Sequence, residues 1–346
     1  MNASEIAKIA GVSRSTVSRV INNYGNVTDE TRKRVLHVIK EYNYVPHASA
    51  QMLAGKKNKI LGLFIIDRKN ENSFNKMCTS SYFSPFSSVV IDVANKQQYN
   101  VLNSIVNENT DFTNVRELFL NKTISAGIFI GGKNNEPAIM ELIESGYKIA
   151  VIEQEVAGEQ DPFSKCIVVN SDSFGGAYEA TKYLITLGHV NIAHISGDME
   201  QLTAISRLEG YKKAMVDTGI SIKSNLIIKG NYTEDSGYKA TKKLLQKETP
   251  TAIFLANDSM AIGAMKAIEE SNLKIPDDIS IIGFDDIEVA RYLEPALTTV
   301  RVPLLQMASV ATSNLINANE ENVNFYANYK MSIELVIRNT CRKLVE

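Results

Sequence analysis

From Ile60 onward the chain alternates short, continuous apolar runs with segments of helical period, and this alternation restricts the fold more than any other feature. The runs are Ile60–Ile66, Val101–Ile105, Gly127–Ile130, Ile149–Ile152, Ile167–Val169, Ile192–Ile195, Leu226–Ile228, Ala252–Ala256, Ile279–Phe284 and Ile333–Ile337. Runs that are apolar throughout belong to strands buried on both faces, the condition of parallel sheets covered by helices. Ten such strands exceed the need of one sheet, so residues 60–346 are expected to form two doubly wound parallel-sheet lobes. Ligands of open α/β sheets sit beyond the carboxyl ends of the strands. The polar residues there are Glu153, Asn257 with Asp258, and Asp285 with Asp286. Arg207 opens the helical segment Arg207–Tyr211, and Tyr232 follows the run that ends at Ile228. Carboxylates, an amide and a guanidinium offer the mixed acceptors and donors that suit fixed sugar hydroxyls. The chain has no Trp, so an apolar sugar face would fall to Tyr232, Phe74, Tyr82 or Phe83. Asp258 and Asp286 could equally serve as helix caps.

The net charge of −2 conceals an asymmetry. Residues 1–59 hold ten Lys/Arg against four acids, a balance of +6, which leaves −8 on the remainder. A basic head on an acidic body suggests that only the head meets a polyanion. In the head, Asn2 and Glu5 form a capping box for a first helix with Ile6, Ala7, Ile9 and Ala10 on its apolar side. Gly11 turns the chain, and Ser13 caps a second helix with Val17, Val20 and Ile21 inward and Arg14, Ser15, Ser18, Arg19 and Asn22 outward. Thr28 caps a third, with Val35, Leu36, Val38 and Ile39 expected to be buried. Two short helices joined by a glycine turn, the second polar outside, make a helix-turn-helix. Arg bonds both O6 and N7 of guanine in the major groove, so Arg14 and Arg19 are the expected base readers. Ser13, Ser18, Asn22, Thr28 and Thr31 are better placed for phosphate oxygens. Pro46 ends the third helix. Residues 47–54 then suit one short helix, stopped by Gly55 and too short to be stable alone.

The string Ile6-Ala7-x-x-Ala10-Gly11-Val12-Ser13-x-x-Thr16-Val17-Ser18-Arg19-Val20-Ile21-Asn22, with Val27-Thr28, Thr31-Arg32 and Tyr44-x-Pro46-x-x-x-Ala50-x-x-Leu53, resembles the LacI/GalR family of bacterial repressors. The resemblance runs on to Arg338. It implies a helix-turn-helix domain at 1–45, a hinge at 46–59 and an effector-binding, dimerising body at 60–346. That body is similar to periplasmic sugar-binding proteins, its N-lobe about 60–168 and 301–329 and its C-lobe about 169–300 and 330–346. By the same resemblance, Ser13, Arg14, Ser15, Thr16, Ser18, Arg19, Asn22, Thr28, Thr31, Ala50 and Leu53 face DNA, with Leu53 wedged into the minor groove. Glu153, Arg207, Tyr232, Asn257 and Asp285 hold the effector. Two departures stand out: His47 and Gln51 replace the Asn and Arg common in the family, so hinge phosphate contacts are expected to be weaker or made differently.

The resemblance implies a homodimer on a pseudo-palindromic duplex that represses carbohydrate-utilisation genes and is switched by a small sugar. Only Asn339–Glu346 follow Arg338, too few for a coiled-coil tetramer. A purine or a phosphoprotein as effector, or activation in place of repression, stays open. A sugar-binding protein without DNA function would not carry residues 1–58. An enzyme would need a nucleophile or base in the cleft; no such signature appears, and Gly131-Gly132-Lys133 lacks the rest of a phosphate loop. Cys78, Cys166 and Cys341 fit neither a disulfide framework nor a metal site, and no cofactor is expected. His189 has no partner at metal-ligand spacing, which points to a structural role. No basic-then-apolar leader opens the chain and no apolar run reaches membrane-spanning length, so a cytoplasmic location is expected.

Overall fold

The computed structural model describes residues 1–21, 24–44, 58–67, 80–107, 112–321, 323 and 325–344. The chain divides into two compact units, Met1–Lys59 and Ile60–Glu346.

The first unit carries α1 (Ala3–Ile9), α2 (Arg14–Ile21) and α3 (Asp29–Glu41). The capping box is present: the Asn2 side chain accepts from the Ser4 and Glu5 amides, and the Glu5 carboxylate accepts from the Asn2 amide at 2.8 Å. Ser13 Oγ accepts from the Thr16 amide at 3.1 Å, and Thr28 Oγ1 from the Thr31 amide at 3.4 Å. Gly11 takes φ 63° between α1 and α2, a conformation glycine adopts without steric cost. Ile6, Ala7, Ala10, Val17, Val20, Val35, Val38 and Tyr44 close the core. Two expected core members do not belong to it, since Ile9 is 45% exposed and Leu36 48%. Each lies one residue, about 100° of helix, from a buried neighbour, and the inward stripe of so small a bundle is too narrow to take both.

The second unit is built on two parallel sheets. The first has strand order β11-β5-β4-β3-β1-β2, from β1 (Ile60–Asp67), β2 (Asn100–Asn107), β3 (Ala126–Ile130), β4 (Ile149–Ile152), β5 (Ile167–Ser171) and β11 (Ala327–Met331). Helices α4 (Phe83–Lys96), α5 (Phe112–Leu120) and α6 (Pro137–Glu144) connect its early strands, and α11 (Leu304–Glu321) packs against α4. The second has order β7-β6-β8-β9, from β6 (Ile192–Ser196), β7 (Ile227–Lys229), β8 (Ala252–Leu255) and β9 (Ser280–Ile282). Its helices are α7 (Ser173–Thr186), α8 (Leu202–Asp217), α9 (Glu234–Leu245) and α10 (Asp258–Glu269). Every pairing within the two sheets is parallel, and their apolar strands are covered on both sides.

The chain passes between the lobes after β5, between β10 (Thr299–Arg301) and α11, and between β11 and β12 (Glu334–Val336). The run at Ile333–Ile337 is not a parallel-sheet strand: β12 pairs antiparallel with β10 in a two-stranded ribbon at the crossings. Arg301 Nε and Arg338 Nη2 both donate to the Asp286 carboxylate, at 2.7 and 2.6 Å, and Arg301 Nη1 reaches Glu334 at 2.6 Å. The third passage is tied to the first by the Asp172 amide, which donates to Met331 O at 2.9 Å. Among the described residues no helix is long and apolar enough to cross a membrane.

Candidate effector cleft and DNA-reading face

Both parallel sheets of the second unit point their carboxyl ends at one cavity of about 240 Å³. All five expected effector residues line it. Three of them stand at positive φ, Glu153 at 59°, Tyr232 at 68° and Asp285 at 108°. A side chain pays steric strain there, and such strain persists only where the surroundings fix the turn.

Arg207 is the centre of the site. It lies in the second turn of α8, which begins at Leu202 rather than at Arg207. Its side chain is 3% exposed and faces Asp285, itself 8% exposed, across 3.3 Å. Nη1 donates to Ala256 O at 2.5 Å and Nε to Ser173 Oγ at 3.4 Å, while the guanidinium stacks 3.8 Å from the Phe284 ring centre. Asp285 Oδ1 accepts no hydrogen bond of good geometry, so the pair is an ion pair with acceptor capacity left for a ligand. Burial lifts the Asp285 carboxyl to about 6, and the Arg207 charge limits the rise.

Glu153 accepts from the Ser171 amide at 3.0 Å and the Ser171 hydroxyl at 2.6 Å. Burial nonetheless outweighs these bonds and pushes its carboxyl to about 7. A folded-state value above the unfolded one means that the folded chain holds extra proton between roughly pH 4.5 and 7, so stability falls as pH rises through that window. Glu153→Gln should flatten the fall of melting temperature between pH 6.5 and 7.5, where Asp285, at about 6, is mostly ionised and Glu153, at about 7, is still titrating. A slope unchanged from the parent would assign the titration to another group.

Tyr232 sets its hydroxyl 2.8 Å from Thr203 Oγ1, and burial raises the phenol to about 12. Its ring occupies space that only a glycine at 197 leaves open, because a Cβ there would lie 2.1 Å from the ring. Gly197→Ala should therefore displace the ring and cost about 1–3 kcal/mol of stability in thermal or chemical unfolding. Asn257 has a second task. Its Oδ1 caps α10 by accepting from the Met260 amide at 2.9 Å, and Nδ2 donates to Tyr232 O at 3.2 Å. One N–H and one lone pair remain for a ligand.

Neither Asp258 nor Asp286 is a cap. Asp258 is fully buried and accepts from the Ile287 amide at 2.9 Å and the Thr299 hydroxyl at 2.5 Å; Asp286 holds Arg301 and Arg338. Buried His189 places its ring nitrogens 3.0 Å from Thr251 Oγ1 and 3.1 Å from Arg342 O, a structural tie. Tyr82 and Phe83 line the cleft, whereas Phe74 and Cys78 lie outside the described residues. The cleft also takes in Asp67, Asp198, Gln201 and Asn231, which the sequence reading missed. A stricter search for polar residues at strand ends would have found Asp67, the last residue of β1, and Asp198, just after β6. Gln201 and Asn231 lie on loops without any pattern. Gln201 Nε2 donates to Gly131 O at 3.0 Å and the Asn134 amide to Glu200 O at 2.8 Å, so the lobes touch at the mouth of the cleft.

In the first unit, Ser13, Arg14, Ser15, Ser18 and Arg19 are exposed, while Val17 and Val20 of the same helix are buried. Thr16 and Thr31 are half-buried. Ser13 Oγ lies 2.7 Å from Ser15 Oγ and 2.9 Å from Thr16 Oγ1, and Thr28 Oγ1 donates to Thr31 Oγ1 at 2.9 Å. The hydroxyls thus gather at the amino ends of α2 and α3, where free amides and the helix dipole favour phosphate. Asn22, Ala50 and Leu53, like His47 and Gln51, lie outside the described residues.

A helix-turn-helix unit joined to a two-lobed ligand-binding unit defines a ligand-responsive DNA-binding regulator. Residues 3–47 match the family model of bacterial regulatory proteins, lacI family, and residues 181–341 that of the periplasmic binding protein-like domain. The HTH-type transcriptional repressor PurR of Histophilus somni is 33% identical over 343 residues, 98% of each chain. Catabolite control protein A of Priestia megaterium is 33% identical over 327 residues, 92% of this chain and 93% of the relative. The solved lac repressor dimer bound to operator and the anti-inducer ONPF is 26% identical, with a TM-score of 0.82 over 99% of each chain. The chain belongs to the lacI family of bacterial regulatory proteins, and it is a DNA-binding transcriptional repressor, not an enzyme.

Proposed function

We propose that residues 1–45 read a pseudo-palindromic operator as a homodimer, that 46–59 form the hinge, and that a small sugar in the cleft of residues 60–346 releases the DNA. The regulated genes would be those of carbohydrate use. The observation that carries the sugar reading is the Arg207–Asp285 pair, flanked by Glu153, Tyr232 and Asn257 on one cavity. Together they offer directional donors and acceptors at fixed positions, as a stereospecific polyol requires. The lac repressor solved as a dimer with operator and anti-inducer supports the pairing of the two partners. A second reading, a purine base, draws support from Tyr82, Phe83 and Tyr232, whose rings could stack a planar heterocycle.

A thermal-shift panel of mono- and disaccharides against purine bases separates the two, since a ligand that binds only the folded state raises its melting temperature. A shift with purines and none with sugars sinks the sugar reading. Selection from random DNA should return a dyad-symmetric consensus, because a two-fold dimer presents two reader helices. An asymmetric consensus would overturn the dimeric mode.

A further inference from the structure

A second cavity, of about 260 Å³, lies in the first lobe at the opposite end of the sheet from the cleft. The cleft borders Ile152, the last residue of β4, and this cavity borders Ile149, the first. Three steps along the strand, about 10 Å, separate the two. The cavity lies between the amino ends of β4 and β5, the last turns of α11 and the segment that leads into β11.

Its described lining joins aromatic rings to cations. Val323, Phe325 and Tyr326 stand exposed beside the hollow, Tyr326 by half, an apolar surface that burial against a ring would stabilise. Tyr147 lines the same cavity, and its ring packs 4.7 Å from that of Phe119, centre to centre, which sets its place. Lys148 is pinned too: its ammonium donates to Ala318 O in the last turns of α11 at 2.7 Å. Side chains already fixed lose little freedom when a ligand arrives. Lys165 is exposed, and among the described residues no carboxylate pairs with it. Glu144 is the one acid of the described lining against these two lysines, so the balance there favours an anion.

We propose that this cavity is a second ligand site, for a small aromatic carboxylate whose ring lies among Tyr147, Phe325 and Tyr326 and whose charge is turned to Lys148 and Lys165. It shares no lining residue with the cleft, so the two can be filled at once. Both α11 and β11 run between the second and third crossings. A molecule lodged against them therefore bears on the same passages as one held in the cleft.

Isothermal titration of the full-length protein with 1-naphthoate and its neutral analogue 1-naphthamide tests this. Naphthoate should bind at one site per chain, and the amide several-fold more weakly. Lys165→Gln should weaken naphthoate about two- to fivefold and leave the amide unchanged. Tyr326→Ala should weaken both about two- to tenfold. Both side chains are exposed, and an unchanged melting temperature without ligand shows that the variants fold. Neither residue lines the cleft, so a loss through them places the molecule in the second cavity. Absence of naphthoate binding, equal affinity for the amide, or a naphthoate affinity that either substitution leaves untouched overturns the inference.

Discussion

Arg207→Ala should abolish ligand-dependent stabilisation and lower the stability of the ligand-free body by roughly 3–5 kcal/mol, the cost of leaving a buried charge without its partner. Asp285 would keep its place under 8% exposure with no cation opposite, and the Ala256 carbonyl and the Phe284 ring face would lose the guanidinium between them. The carboxyl, already lifted to about 6, loses the charge that held it down and rises further. Protonation then relieves the defect, so the deficit against the parent should shrink between pH 7 and 5. Arg207→Lys should be intermediate, because a point charge restores the attraction but neither the planar stack nor the fork of donors. Thermal unfolding across pH, with and without ligand, reads all of this. A variant that unfolds like the parent and still responds to ligand would show that Arg207 is dispensable.

Arg14→Ala and Arg19→Ala should each weaken specific binding by about 1–3 kcal/mol per half-site. A symmetric dimer loses the contact twice, so operator affinity should fall on the order of thirtyfold to ten-thousandfold per substitution. Binding to random duplex should fall far less, since it rests on phosphate contacts spread over the remaining lysines and arginines. Both side chains are exposed on α2 and distant from the Val17–Val20 core stripe, so the head should fold normally. Competition binding at fixed salt decides the matter. Equal losses on the two DNAs would mark these arginines as phosphate contacts and leave base reading to other residues.

Local rules made the head legible. A capping box, a glycine turn and two hydroxyl caps act within four residues, and each stands where the sequence places it. Ile9 and Leu36 escaped because tertiary geometry, not helical period, decides how wide an inward stripe can be. The covered strands of the body were legible from their unbroken apolar runs. The edge strand β11 was not: Ala327–Met331 reads Ala-Asn-Tyr-Lys-Met, with exposed and half-buried positions alternating at a sheet border. β10 and β12 went unpaired in the sequence reading because no local pattern brings residues 299–301 to residues 334–336. The five expected residues do meet at one cavity. The double service of Asn257 as cap and lining, and the space that Gly197 leaves for a ring, depend on contacts between separate loops, which no spacing rule encodes.

The bonds at the lobe crossings limit how the body can move. The second and third passages are zipped together by the β10–β12 ribbon, and Asp286 pins both through Arg301 and Arg338. The first is fastened to the third through Asp172 and Met331. Three crossings that could each bend alone are thereby coupled, so that a rotation at one is transmitted to the others. The Asp285 amide donates to Val300 O at 2.8 Å, so the turn that faces the ligand is itself bolted to this axle. A molecule gripped at Asp285 then acts on the pivot directly. The two lobes should swing as rigid plates between discrete end positions, since packed elements switch between arrangements and do not deform smoothly.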